Sequence, residues 1–371
     1  MFIQKSEHND NSLTVEFSDQ STATFSVFWL RDHSSEATSL NPSTLQRDYP
    51  TFASDAVPGI KHQQTINDGT QLQVHWLADD VISEYDADFL YRLAIKPASE
   101  PVYTLWGSEL TDNTPNFDFD TIVQSDESFL PVLEGIEEYG IATFSNMPTD
   151  MKSTQALLER VGYVRNTVFG DVWDFSNNEK HADSAYTSIG IGLHTDGTYA
   201  IDPPGLQLLH CLAFDGEGGF NIFVDGFKIA QTIKDKDPAA FEILGRVKVP
   251  AHYMEPGIQL RAEHEVVTVN SQGHFDQICF NNFDRSPMLL NASEQESFYH
   301  AYGMFQRMAN DPAFQIKVQL RPGQAVWFDN WRTLHARSAF SGFRHMAGGY
   351  SNKEDFRSKL LTLRGQSPWK T

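Results

Sequence analysis

Residues 314–320 read Phe314-Gln315-Ile316-Lys317-Val318-Gln319-Leu320. Apolar and polar side chains alternate without a break. That puts Phe314, Ile316, Val318 and Leu320 on one face of a strand and Gln315, Lys317 and Gln319 on the other. Such a strand is half-buried and needs a sheet around it. Similar short runs stand on both sides: QAVWFDNW at 324–331, and before it LQLLHCL (206–212), FNIFVDG (220–226), EVVTVNS (265–271) and FDQICFN (275–281). Two helices interrupt them. One is predicted to start at Asp237-Pro238, an N-cap followed by proline at the first helical position. The other is predicted at Ser293, with Glu296 completing a capping box. Residues 127–139 and 150–162 also carry helical periodicity. Many short strands with helical insertions predict a mainly β jelly-roll barrel with helices on its outside.

Nearer the N-terminus, residues 12–32 read as two strands, SLTVEFSD and ATFSVFWLRD, and 71–77 as another. DADFLYRLA (86–94) is helix-like. No repeat is evident. These features predict a small β-rich domain over 1–100, with Pro97 and Pro101 in a linker, and a larger jelly-roll domain over 101–371.

Hydrophobic residues make up 40% of the 371 and charged residues 21%, a balance typical of a folded soluble chain. No run of about 18 apolar residues predicts a transmembrane helix. The net charge of -21 disfavours nucleic acid and anionic membrane surfaces, which need basic patches. It leaves a small substrate open. The start, MFIQKSEHNDNS, has no secretory or presequence pattern, and a cytoplasmic location is expected. The two cysteines, Cys211 and Cys279, lie in apolar runs and are expected to be buried thiols.

Gly192-Leu193-His194-Thr195-Asp196 carries the chemistry. In an extended segment, side chains at i and i+2 point the same way, so His194 and Asp196 can face one ion. A lone His-x-Asp is more often a solvated turn, and a third ligand must come from elsewhere. His335, in FDNWRTLHARSAF (328–340), is the best candidate. Two imidazoles and a carboxylate on one face of an octahedron leave three positions open. That suits an iron(II) oxygenase, which binds a cosubstrate and oxygen together. Arg344, further along the same region, can reach this cavity, where its guanidinium fork suits a dicarboxylate. A surface ion pair is the ordinary alternative.

The runs HTDGTY (194–199), PPGLQLLHCL (203–212), GEGG (216–219), VDGF (224–227) and FDNWRTLHARSAFSGFRHMAGGY (328–350) resemble the γ-butyrobetaine hydroxylase and trimethyllysine hydroxylase family of TauD/TfdA-like dioxygenases. So do FWLRDH (28–33) and WGSEL (106–110), so the resemblance covers nearly the whole chain. It implies a double-stranded β-helix, a small N-terminal domain and a homodimer. The implied reaction is hydroxylation of an unactivated C–H bond in a small trimethylammonium substrate. Iron(II), O2 and 2-oxoglutarate would be used, and succinate and CO2 released. His194, Asp196 and His335 would hold the iron, and Arg344 the distal carboxylate of 2-oxoglutarate.

Two departures stand out. Family members often carry zinc-binding cysteines just after WLRD. Here the residues are His33, Ser34, Ser35, Glu36 and Ala37, and no structural zinc is expected. Relatives often place a hydroxyl residue against 2-oxoglutarate where this chain has Asn221, whose amide can still donate.

A quaternary ammonium has no N–H to donate and is bound best by aromatic faces. The resemblance implies a cage of Phe169, Trp173, Tyr186 and Tyr350, with Tyr199 a further candidate. On composition alone the four cage residues read more readily as core packing, and Tyr199 equally so. Asp183 suits a primary ammonium such as the α-amino group of trimethyllysine, and Asn281, Asn282 and Arg285 its acid group. These residues, with Gly197 in place of a larger one, favour trimethyllysine over γ-butyrobetaine. A trimethylammonium phosphonate is a third option. A zinc hydrolase on the same ligands would need a placed general base, and none is evident. A non-catalytic betaine-binding protein would need the cage but not the ligands.

Overall fold

The computed structural model describes residues 1–95, 103–176 and 188–365. Pro97, Pro101, Asp183 and Tyr186 lie outside the described residues. Two compact units divide between Glu100 and Pro101.

The first unit holds two antiparallel meanders, each running straight into a helix. Strands Ile3–His8, Ser12–Phe17 and Thr22–Ser26 lead to helix Val27–Asp32. Strands Ile60–Ile66, Gln71–Trp76 and Ile82–Asp86 lead to helix Ala87–Ala94. Leu13, Val15, Phe17, Phe25 and Leu30 of the first half match Leu72, Val74, Trp76, Tyr85 and Leu90 of the second, and all are buried in one core. This is a tandem repeat, contrary to the reading that none exists. Only alternate, inward positions carry the likeness; the outward ones, such as Glu16 and His75, differ in kind. The reading of VFWLRD as strand is also corrected. Val27, Leu30 and Arg31 are buried at i, i+3 and i+4, which is a helical face.

The second unit contains two larger sheets. One orders strands Val172–Ser176, Phe340–Ser351, Leu206–Gly218, Ala325–Asp329, Ile141–Ser145 and Asn116–Asp118, with Val164–Arg165 also beside Phe340–Ser351. The other orders Ile191–His194, Thr333–Arg337, Asn221–Asp225 and Gln315–Val318. They face each other. Leu209, Val326, Phe328 and Met346 of the first share a core with Phe223 and Ile316 of the second, and the rings of Phe223 and Phe328 lie 5.1 Å apart. The fold is the expected double-stranded β-helix.

Helices cover both outer faces, which explains the apolar runs. Leu206 and Leu208 pack outward among residues of helices Asp126–Tyr139, Met151–Glu159 and Lys353–Leu363. Leu209 and Cys211 point inward, so this strand is buried on both faces. On Thr333–Arg337, Leu334 and Ala336 pack against helices Gly226–Lys236, Pro238–Leu244 and Ala292–Ala309. The pleat then turns His335 and Arg337 to the interior.

Asp237 caps the helix that begins at Pro238, accepting from the Ala240 amide at 3.0 Å. The other predicted cap is corrected: Asn291, not Ser293, caps Ala292–Ala309 by accepting from the Glu294 amide. Ser293 instead donates its hydroxyl to the Asn291 side chain. Phe314 leaves the alternating face because it closes a 3-10 turn, Pro312–Phe314, and packs with the helices. Cys211 and Cys279 are free and buried. Burial pushes their thiols up to about 11 and about 12.

Candidate metal centre and active-site cavity

Strand Ile191–His194 pairs with Thr333–Arg337 so that His194 lies opposite His335. The register shifts between Ile191 and His194. A bulge of this kind re-aims a side chain, and here the two imidazole rings end with centroids 4.3 Å apart. Asp196 lies beyond the strand, in a turn, yet reaches the same point. Thr195 points the other way, its amide and hydroxyl exchanging hydrogen bonds with the Phe280 backbone. Asn330 clamps the turn: its side-chain oxygen accepts from the Asp196 amide at 2.8 Å, and its nitrogen donates to the Asp196 carbonyl at 3.0 Å. Gly197 has φ 73°, and a Cβ there would stand 2.5 Å from Pro204 Cδ. The turn of this chain therefore needs a glycine there.

One ligand atom each from His194, Asp196 and His335 lies within 4.8 Å of the others. Asp196 Oδ1 is 3.1 Å from His194 Nε2 and 3.7 Å from His335 Nε2. Burial disfavours the Asp196 carboxylate, but His335 and the hydrogen bonds of His194 and Tyr350 outweigh it and hold its pKa well below the usual range. Burial, and then His194, lower His335. Burial also lowers His194, but the adjoining Asp196 reverses this and raises it. Metal binding requires all three ligands deprotonated. The Nδ1–H of His194 donates to the Gly192 carbonyl at 2.9 Å, which orients Nε2 inward as in most metal-bound histidines. Two imidazole nitrogens and one ionised carboxylate fit iron(II), with open positions left over.

The triad opens on a cavity lined also by Arg344, Arg337, Asn221, Gln207 and Leu209. Arg344, on strand Phe340–Ser351, is buried over the rings of Phe175 and Phe340, 5.6 and 5.7 Å from their centroids. Burial, and then Arg337, lower it to about 10. Among the described residues its guanidinium has no hydrogen-bond or ion-pair partner. Asn221 is buried nearby and donates at 3.4 Å to the Val318 carbonyl. The buried Gln207 Oε1 has no hydrogen-bond partner among the described residues. A buried guanidinium without a counter-charge makes an anion receptor.

Aromatic rings line more of the cavity: Phe169, Trp173, Tyr199 and Tyr350, and also Phe175, Tyr253 and Phe283. Trp173 and Tyr350 lie 5.6 Å apart, Tyr199 and Tyr253 5.1 Å, and Phe169 and Tyr253 5.6 Å. Trp173 pairs across strands with Gly348. A Cβ at Gly348 would come within 2.5 Å of the indole, so the glycine lets the ring lie flat on the sheet.

Asn281 lines the cavity, but its side chain also holds a turn, donating to Asp284 and accepting from the Phe283 amide. Asn282 is exposed and not part of the lining. Arg285 is not part of it either; it lies over the Tyr302 ring, 5.4 Å from the centroid. Asp284 lines the cavity instead. Arg337 was legible in sequence as i+2 from His335. Tyr253 was not, because a distant hairpin brings it in.

Fold and site define a non-haem iron, 2-oxoglutarate-dependent oxygenase. The chain belongs to the TauD, TfdA family of taurine catabolism dioxygenases, whose family model matches residues 95–350. Trimethyllysine dioxygenase of Meyerozyma guilliermondii is 34% identical, over 99% of this chain and 97% of that one. Mitochondrial trimethyllysine dioxygenase of Bos taurus is 32% identical, over 91% and 83%. Gamma-butyrobetaine dioxygenase of Pseudomonas sp. strain AK-1 is 31% identical, over 95% and 94%. A solved taurine dioxygenase from Burkholderia xenovorans shares the fold, with TM-score 0.50 and 15% identity over 68% of this chain and 89% of that one.

Proposed function

We propose that the protein hydroxylates an unactivated C–H bond of a small trimethylammonium compound, with trimethyllysine favoured. The observation that carries this reading is one cavity with three stations: the His194–Asp196–His335 triad, the buried Arg344, and the aromatic wall of Phe169, Trp173, Tyr199, Tyr253 and Tyr350. Iron(II) with 2-oxoglutarate supplies the oxygen activation. The rest is positioning by the chain. Arg344 pairs with the far carboxylate of 2-oxoglutarate, and Asn221 donates to the cosubstrate. The aromatic faces hold the quaternary ammonium without needing a hydrogen bond and keep water out. Asp183 and Tyr186, on sequence, complete the substrate contacts.

Full-length similarity to trimethyllysine dioxygenases supports the preferred substrate. Similarity to a gamma-butyrobetaine dioxygenase keeps γ-butyrobetaine as the second reading. A substrate panel decides: trimethyllysine, γ-butyrobetaine and a trimethylammonium phosphonate are each incubated with iron(II), O2 and 2-oxoglutarate, and succinate is measured. Trimethyllysine should give the highest kcat/KM. No turnover with it, where another compound reacts, overturns the preference. A homodimer and a cytoplasmic location complete the proposal; the two free, buried thiols suit a reducing compartment.

A further inference from the structure

We propose that Tyr350 is a positioning residue for the metal: its hydroxyl fixes Asp196 as a one-oxygen ligand. The inference deepens the dioxygenase reading and rests on it for the metal. Tyr350 donates to Asp196 Oδ2 at 2.7 Å, while Oδ1 is the oxygen nearest both histidine Nε2 atoms. The main chain of Asp196 is already gripped on both sides by Asn330. What remains free is rotation of the carboxylate, and the phenol removes it. A carboxylate that swung to offer both oxygens would fill a position that cosubstrate or oxygen needs. A donor on the spare oxygen prevents this and orients the ligand.

The placement also ties two stations together. Tyr350 stands on the same strand as Arg344, at alternate, inward positions. Its ring forms the aromatic wall with Trp173. One side chain thus presents a face to the substrate cation and its hydroxyl to a metal ligand.

The test separates ring from hydroxyl. Tyr350→Phe keeps the aromatic face; Tyr350→Leu removes both. Co(II) is titrated anaerobically into each purified protein, reading affinity and the visible ligand-field spectrum. Substrate KM and the ratio of hydroxylated product to succinate are read beside it. Both variants should bind Co(II) about tenfold more weakly or more, within the range for lost partners of metal ligands, with an altered spectrum. Tyr350→Phe should keep KM within about threefold, since the ring that attracts the cation remains, and form less product per succinate. Tyr350→Leu should raise KM as well. Wild-type Co(II) affinity and spectrum in Tyr350→Phe would overturn the proposal and leave Tyr350 a wall residue. Should that variant misfold, unchanged Co(II) binding by Tyr350→Leu overturns it equally. The Co(II) arm needs no substrate, so failure of the substrate panel leaves it standing. A wild-type protein that binds no Co(II) sinks both readings.

Discussion

Arg332 and Arg344 are both buried in the catalytic unit, 1% and 4% exposed, yet their surroundings differ in kind. Arg332 is held by hydrogen bonds from all three of its nitrogens. It makes a two-pronged pair with the fully buried Asp225, at 3.0 and 2.8 Å, and donates to the carbonyls of Glu138 and Thr104. Asp225 in turn accepts from the amides of Trp106 and Phe227. Arg344 meets aromatic rings and a second arginine. A buried charge without a counter-charge is costly, so Arg344 is an open half of a pair and Arg332 a closed one. Burial alone does not tell a structural arginine from a binding one; the inventory of partners does.

Substitutions test that contrast. Arg332→Ala strands the Asp225 carboxylate and should cost about 3–5 kcal/mol in urea unfolding. Equal stability to wild type would break the comparison from one side. Arg344→Ala should leave the melting temperature unchanged or higher. It should weaken 2-oxoglutarate binding by about 2–5 kcal/mol, at least about 30-fold, read as KM for 2-oxoglutarate. An Arg344→Ala protein that unfolds as readily as Arg332→Ala would break it from the other side. Trp173→Ala removes a face from the cation site and should raise substrate KM about tenfold or more, with Co(II) affinity unchanged. An unaltered KM removes Trp173 from the cage. Asn221→Ala is the mildest, raising KM for 2-oxoglutarate by a few fold, as loss of one hydrogen bond of about 1 kcal/mol predicts. No change there makes the asparagine a strand residue only.

Much of the catalytic unit was legible because its signals are local. The alternation at 315–320 marked a strand, and the i, i+2 spacing of His194 and Asp196 survived although the strand ends at His194. What escaped depends on tertiary placement. Tyr253 comes from the hairpin of Lys248–Glu255 with Ile258–Glu265, and nothing near the triad in sequence points to it. The NNFDR run suggested Arg285, but its turn puts Asp284 at the cavity and Arg285 against Tyr302. In the N-terminal unit, the continuous apolar run VFWL hid a change of period from two to near four.

The duplicated halves of that unit are not copies in every position. Where the first half has Ala23 and Phe25, the second has Ser83 and Tyr85, all of them buried. The added hydroxyls reach across to the first half: Tyr85 donates to the Leu30 carbonyl, and Ser83 meets Ser34 while accepting from Trp76 Nε1. Broken symmetry therefore supplies the tether for the first helix and for the segment that follows it. Restoring the symmetry with alanine and phenylalanine would keep both hydrophobic faces intact but loosen the helix and that segment and strand the Trp76 Nε1 donor, so shape and anchorage in this unit are written in separate atoms.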